Sequence, residues 1–263
     1  MPSSETVSRD VPFELRLARS AQDRDGAARL RYRVFVEELG GSGEGVDHAA
    51  EFERDQFDDY VDHLILVDPT RNADRLDHVI GVYRVLRDDQ MQALGRFYSE
   101  DEYDLIGLKA SGRKLLELGR SCVHRDYRGG TAMFQLWQGL SDYVEAHGIE
   151  ILFGVASFHG TRISDIAAPL SLLYHDHLAP EDIRPHSRAF ESMNILSPDT
   201  FDRKEAMTQM PSLIKAYLRL GGVVGDGAFI DWDFNTVDVC LVMDTATLSA
   251  RQRNIYAQAR RRG

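Results

Sequence analysis

The chain has 263 residues with a formal net charge of −11, 43% hydrophobic and 28% charged. That length suits one large domain or two small ones and is ample for a buried core. The negative charge excludes a general nucleic-acid binder, two isolated cysteines (Cys122 and Cys240) exclude a disulfide framework or cysteine zinc site, and no apolar run approaches the ~20 residues that span a bilayer.

The N-terminus MPSSETVSRD lacks a basic flank and an apolar core segment, so it does not read as a secretory signal. A cytoplasmic enzyme or binding protein is the expectation. No internal repeat, low-complexity tract or long linker divides the chain, so a single domain over 1–263 is expected, with 1–11 as a flexible tail. PFELRLARS (Pro12–Ser20) alternates like a strand, and AQDRDGAARLRYRVFVEEL (Ala21–Leu39) reads as one helix with Leu30, Val34 and Phe35 on a face, ended by GGSGEG. Glu44 to Asp62 holds eight acids against one base, Arg54, and Val46–Asp62 reads as a long loop, a length that usually signals function. His63–Asp68 and Val79–Arg87 read as adjacent strands. The segment Asp101–Ser111 reads as helical or irregular.

Leu115–His124 is the next expected strand. Thr131–His147 follows as a helix, with Met133, Trp137, Leu140 and Val144 at helical spacing and Gly148 placed to end it. Ile149–Phe158 is a buried strand, so strand, helix and strand make a parallel unit. A helix near Ile166–His177, an amphipathic helix at Pro211–Leu220 and a strand at Thr236–Asp244 complete the reading. The last residues, RQRNIYAQARRRG (251–263), carry five arginines and no acid. They suggest either a basic helix meeting an anionic partner, such as a lipid surface or an acidic protein, or a solvated terminus. Together these elements predict an α/β (α+β) domain with a mixed sheet flanked by helices.

Between strand and helix, Arg125, Arg128, Gly129, Gly130 and Thr131 form an anion-compatible turn at a helix N-terminus. This turn resembles the pyrophosphate loop of the GCN5-related N-acetyltransferase superfamily, with Arg128 as its leading residue. Thr131 and Met133 stand where that pattern has glycine or alanine. A loop without those glycines suits the single phosphate on the phosphopantetheine arm of an acyl carrier protein better than the pyrophosphate of CoA.

A wider set comes in order: LRYRVF (Leu30–Phe35), ERDQFDD (Glu53–Asp59), YRVL (Tyr83–Leu86) and ELGRSCV (Glu117–Val123). It resembles the acyl-homoserine lactone synthases at Arg31, Phe35, Asp55, Asp58, Arg84, Glu117 and Arg120, although the tryptophan those enzymes place after Phe35 is missing. FGVASFHGT, LSLLYHDHLAP and the stretch Pro211–Asp244 resemble the ornithine Nα-acyltransferases of ornithine-lipid biosynthesis, and that likeness runs from about Phe13 to Tyr256.

The resemblance implies an acetyltransferase-like fold. It implies transfer of a 3-hydroxyacyl group from acyl carrier protein to the α-amine of L-ornithine, giving a lyso-ornithine lipid, with no bound cofactor and no metal. It also fits acylation of another amino acid such as glutamine. A lactone synthase and a non-catalytic acyl- or membrane-binding protein of the same fold are the rivals. A cytoplasmic enzyme peripheral on the inner face of the membrane follows.

The expected roles are these. Glu117 deprotonates the amine, or else pairs with Arg120 or Arg84 to organise the sheet. A backbone N–H at Cys122 or Val123 holds the oxyanion. Asp55 and Asp58 take ammonium groups, and Arg31 or Arg84 takes the carboxylate. His159 shuttles protons or only fills a turn. Cys122 is not a nucleophile, since nothing near it in sequence would activate it, and His175 and His177 do not make a metal site. Arg125, Arg128, Arg184, Arg188, Arg203 and Lys204 are the candidates for docking an acidic carrier protein.

Overall fold

The computed structural model describes residues 12–247. The expected N-terminal tail (1–11) and the basic C-terminal segment (251–263) lie outside the described residues. One sheet contains β1 (Glu14–Leu17), β2 (Asp62–Val67), β3 (Val79–Arg87), β4 (Leu115–Val123), β5 (Ile151–His159), β6 (Val223–Val224), β7 (Phe229–Asp231) and β8 (Thr236–Asp244). Their order is β1-β2-β3-β4-β5-β8-β6, with β7 also paired to β8. Every pair is antiparallel except β4 with β5, the parallel pair that the sequence predicts.

Strand alternation sends one set of side chains to each face. On the first face Leu64, Leu116, Leu118 and Leu241 meet α4 (Ala132–His147), α5 (Ala167–His177), α6 (Arg203–Gln209) and α7 (Ser212–Arg219). Leu136, Leu140 and Tyr143 form the buried stripe of α4, and Gly148 ends it in a left-handed conformation, φ 63°. On the second face Ile65, Val82 and Cys122 meet α1 (Ala21–Arg31), while Leu115, Phe153 and Val242 meet Phe97, Tyr103 and Leu108.

The sequence predicts one helix from Ala21 to Leu39. It begins as expected, with Ser20 accepting from the Asp23 N–H in a reciprocal cap. After Arg31 it widens into a π-helical segment, Tyr32–Glu38, a form frequent at functional sites. The acidic stretch is less of a loop than expected, since Val46–Asp47 and Phe52–Glu53 pair as a short hairpin. Between β3 and β4 lie α2 (Asp88–Leu94), a 3₁₀ turn Tyr98–Asp101 and α3 (Ile106–Ala110). Among the described residues no helix is long and apolar enough to cross a membrane.

Candidate active site

The parallel pair β4–β5 is short. Leu115, Leu116 and Glu117 pair with Ile151, Leu152 and Phe153, and the ladder then stops. At the point of divergence the backbones are very close, since a Cβ on Gly154 would lie 2.1 Å from the Leu118 carbonyl oxygen. The other edge of β4 carries a bulge. Cys122 pairs with Val82 and Gly119 with Arg84, which leaves Arg120 and Ser121 together opposite Tyr83. Arg120 takes the left-handed conformation there, φ 50°. The bulge reverses the faces of the strand beyond it, so Leu118 meets α4–α7 while Cys122 meets α1. Bulges commonly re-aim side chains beside active sites.

A cavity of about 230 Å³ fills the fork, between Leu118–Ser121 of β4 and Leu152–Ser157 of β5. One wall is apolar, with Leu213 and Tyr217 of α7 opposite Leu118, Leu241 and Met243. The other is polar, with Tyr98, Glu102, Arg120, Asp231 and Asp238 beside Phe35 and Phe234. Arg120 lies between aromatic rings, 4.7 Å from the centre of Tyr98 and 4.9 Å from that of Phe234.

Behind Arg120 stands an alternating set of charges. Arg120 Nε donates to Glu53 Oε1 at 3.1 Å, and the other Glu53 oxygen accepts from Arg31 Nε at 2.5 Å. Arg31 also holds both oxygens of Asp58 with its two terminal nitrogens, at 2.5 and 3.0 Å. Arg84 donates to Asp55 at 2.6 Å. Asp58 further accepts from the Asp55 N–H, and Asp55 from the Phe57 N–H, each at 2.8 Å. Burial alone would raise the Glu53 pKa, but Arg120 and Arg31 hold it down to about 2.

On the cavity's polar wall Glu102, Asp231 and Asp238 each place a carboxylate oxygen within 4.8 Å of the others. Glu102 and Asp238 are only 4% and 3% exposed. Glu102 Oε2 and Asp238 Oδ1 lack a hydrogen bond of good geometry. Burial pushes Glu102 well above the usual carboxylate range, and the charges of Asp238 and Asp231 add to it. Burial likewise lifts Asp238 to about 6.

Residues 30–138 match the acetyltransferase (GNAT) domain family. The L-ornithine Nα-acyltransferase of Rhodobacter capsulatus is 56% identical over 248 residues, covering 94% of this chain and 96% of that protein. The chain belongs to the L-ornithine Nα-acyltransferase family. The namesake from Brucella abortus is 39% identical, covering 95% of this chain and 90% of its own. Among solved structures, a CoA-dependent acyl-homoserine lactone synthase, BjaI, superposes with a TM-score of 0.52 at 16% identity, covering 94% of this chain and 89% of that one. That likeness shows a shared fold.

In this acyltransferase the residues expected from sequence fall into three groups. Phe35 and Arg120 line the cavity. Arg31, Asp55, Asp58 and Arg84 lie behind it rather than on its lining. Their charges are spent on one another, and they pin the acidic loop to the sheet. Glu117 is also turned away from this cavity. Its two oxygens accept from the N–H groups of Tyr98 at 2.9 Å and Ser99 at 2.6 Å, fixing the turn that carries Tyr98 and leads to Glu102. Burial raises its pKa.

The remaining residues lie at the margins. Cys122 and Val123 are not among the cavity's lining residues, and the part of β4 that borders it is Leu118–Ser121, upstream of the amides expected to hold the oxyanion. The Cys122 thiol is buried and pushed up to about 12 by that burial, which suits no nucleophile. His159 closes β5 opposite Thr236 and is exposed. In the turn, Arg125, Gly129, Gly130 and Thr131 are exposed, as is Arg128, which bonds Glu38 and the Val123 carbonyl. Glu102, Asp231 and Asp238 are absent from the sequence reading. The only local signal was Asp238, a charge in the middle of the apolar strand TVDVCLVMD.

Proposed function

We propose that the protein transfers a 3-hydroxyacyl group from acyl carrier protein to the α-amine of L-ornithine, the first step of ornithine-lipid synthesis. The observation that carries this is the two-walled fork: an apolar wall for an acyl chain and a carboxylate-rich wall for a cationic acceptor, meeting in one cavity. The relatives' name, L-ornithine N(alpha)-acyltransferase, supplies the acceptor.

The chemistry is direct attack. The α-ammonium loses one proton, its nitrogen adds to the thioester carbon to give a tetrahedral oxyanion, and collapse of that oxyanion breaks the C–S bond. The second proton ends on the departing thiol, so an amide, a thiol and one proton result. No acyl-enzyme is needed, and the raised Cys122 thiol supports that. Backbone N–H groups along the open edge of β4 are suited to the oxyanion.

The turn Arg125–Thr131 and the N-terminus of α4 take the single phosphate of the phosphopantetheine arm, and acidic carrier protein approaches that basic rim. Product lipid leaves to the inner face of the membrane. Leu39 at the cavity and Trp232 beside Asp231 are both exposed, 41% and 73%, which supports a membrane-facing mouth.

The test combines purified protein with 3-hydroxyacyl carrier protein or the matching CoA thioester and a panel of amine acceptors. N-acylornithine made faster from the carrier-bound donor is the expected product. N-acylglutamine alone, a homoserine lactone, or no turnover would overturn the reading of the acceptor, and equal rates with CoA would overturn that of the donor.

A further inference from the structure

From the buried carboxylates we infer that Glu102, Asp231 and Asp238 form the receptor for the acceptor's side-chain ammonium and so select a diamino acid over its uncharged analogues. This deepens the reading of an ornithine acceptor and rests on it. The geometry carries it. The three carboxylates converge on the polar wall of the reaction cavity. They come from three separate parts of the fold: the turn after Ser99, the end of β7, and the second-face side of β8.

Two buried oxygens, Glu102 Oε2 and Asp238 Oδ1, lack a hydrogen bond of good geometry, and the neighbours that act on Asp238 are the neutral hydroxyls of Ser157 and Thr236 and the carboxyl of Glu102, none of them a cation. A buried acceptor in that state calls for a donor, and a pair of carboxylates calls for a proton or a cation. Arg120 is a cation whose charge reaches Glu102, yet its guanidinium is hydrogen-bonded to Glu53 and Asp55. Asp231 has one oxygen occupied by the N–H groups of Asp233 and Phe234, at 2.8 and 3.0 Å, which sets its carboxylate toward the cluster. An alkylammonium has three donors in a compact head and matches three converging acceptors.

The α-amine is a poorer occupant. It must shed its charge to attack, and a site of three carboxylates would hold that charge in place. The side-chain ammonium of ornithine keeps its charge throughout the reaction.

The experiment measures kcat/KM for ornithine and for 2-aminopentanoate, which has the same carbon chain without the side-chain amine. It uses 3-hydroxyacyl carrier protein as donor and compares wild type with Glu102→Gln, Asp231→Asn and Asp238→Asn. The expected result is a fall of about tenfold or more in the ornithine-to-aminopentanoate ratio, carried by the ornithine KM. Asp231 is the least buried of the three, so its variant serves if either other one folds poorly.

A parallel loss of kcat with both acceptors would overturn the inference, since it would place the cluster in the chemical step. So would an unchanged ratio, or activity that a chelator removes and a divalent cation restores. Ornithine turnover with an unchanged ratio sinks only the role of the cluster. Absence of ornithine turnover in the wild type sinks the reading of the acceptor as well.

Discussion

Arg31 and Glu53 form an ion pair shut away from water, with Nε 2.5 Å from Oε2 and side chains 0% and 1% exposed. The same carboxylate holds Arg120 at the cavity, so this pair ties α1 to the arginine that lines the site. Removing one partner of such a pair strands the other charge. Glu53→Gln is therefore expected to lower stability by about 3–5 kcal/mol in urea unfolding at neutral pH. The Glu53 pKa is depressed to about 2 from an ordinary 4.5. Its contribution is thus full above pH 4.5 and is lost as pH falls toward 2. A loss well under 1 kcal/mol would show that the network is not structural.

Glu117→Gln separates a base from a brace. Its carboxylate accepts two backbone N–H groups, and an amide replaces one of those acceptors with a donor. The brace predicts a stability loss of about 1–3 kcal/mol and a pH profile of kcat/KM that keeps its shape at a reduced height. A profile that loses its acid limb, in protein of unchanged stability, would restore Glu117 as the base.

Gly154→Ala tests the fork. Its added methyl would meet the Leu118 carbonyl at 2.1 Å, and backbone must move to accommodate it. The expectation is a loss of about 3 kcal/mol or more together with loss of acyl transfer, since both cavity walls are built on these two strands. Full activity and an unchanged melting temperature would mean the strands are not fixed at this distance.

Asp238→Asn is expected to stabilise the acceptor-free enzyme at neutral pH. The Asp238 pKa is raised to about 6 from 3.8. The folded state therefore holds its proton longer than the unfolded chain, and stability falls as pH rises from about 4 through 6. Removing the charge recovers on the order of 1–3 kcal/mol above pH 6. Thermal melts at pH 5 and pH 8 without ornithine check this, with the gain confined to the higher pH. A variant less stable than wild type at pH 8 would contradict it.

Much of the fold was legible because periodicity and punctuation agree along the chain. β8 runs over Thr236–Asp244 as read, and the β4–α4–β5 unit lies where its glycines and apolar spacing put it. The π-helical widening after Arg31 left no mark, since the apolar residues of α1 continue through it at nearly helical spacing. The site was harder to see, because a charged residue in sequence does not announce its partner. Asp55 and Asp58 read as partners for substrate ammonium, and in the fold they pair with Arg84 and Arg31. Glu102, Asp231 and Asp238 are far apart in the chain and meet only because β7 and β8 pair beside the turn that follows Ser99.

The acceptor is expected to lie with its side-chain ammonium among the carboxylates and its α-nitrogen at the thioester. The most direct test is to identify the acylated nitrogen of the product by NMR after reaction of 3-hydroxyacyl carrier protein with ornithine. The expected product carries the amide at Nα alone, with Nδ a free amine. Acylation at Nδ, or a mixture of the two, would contradict it.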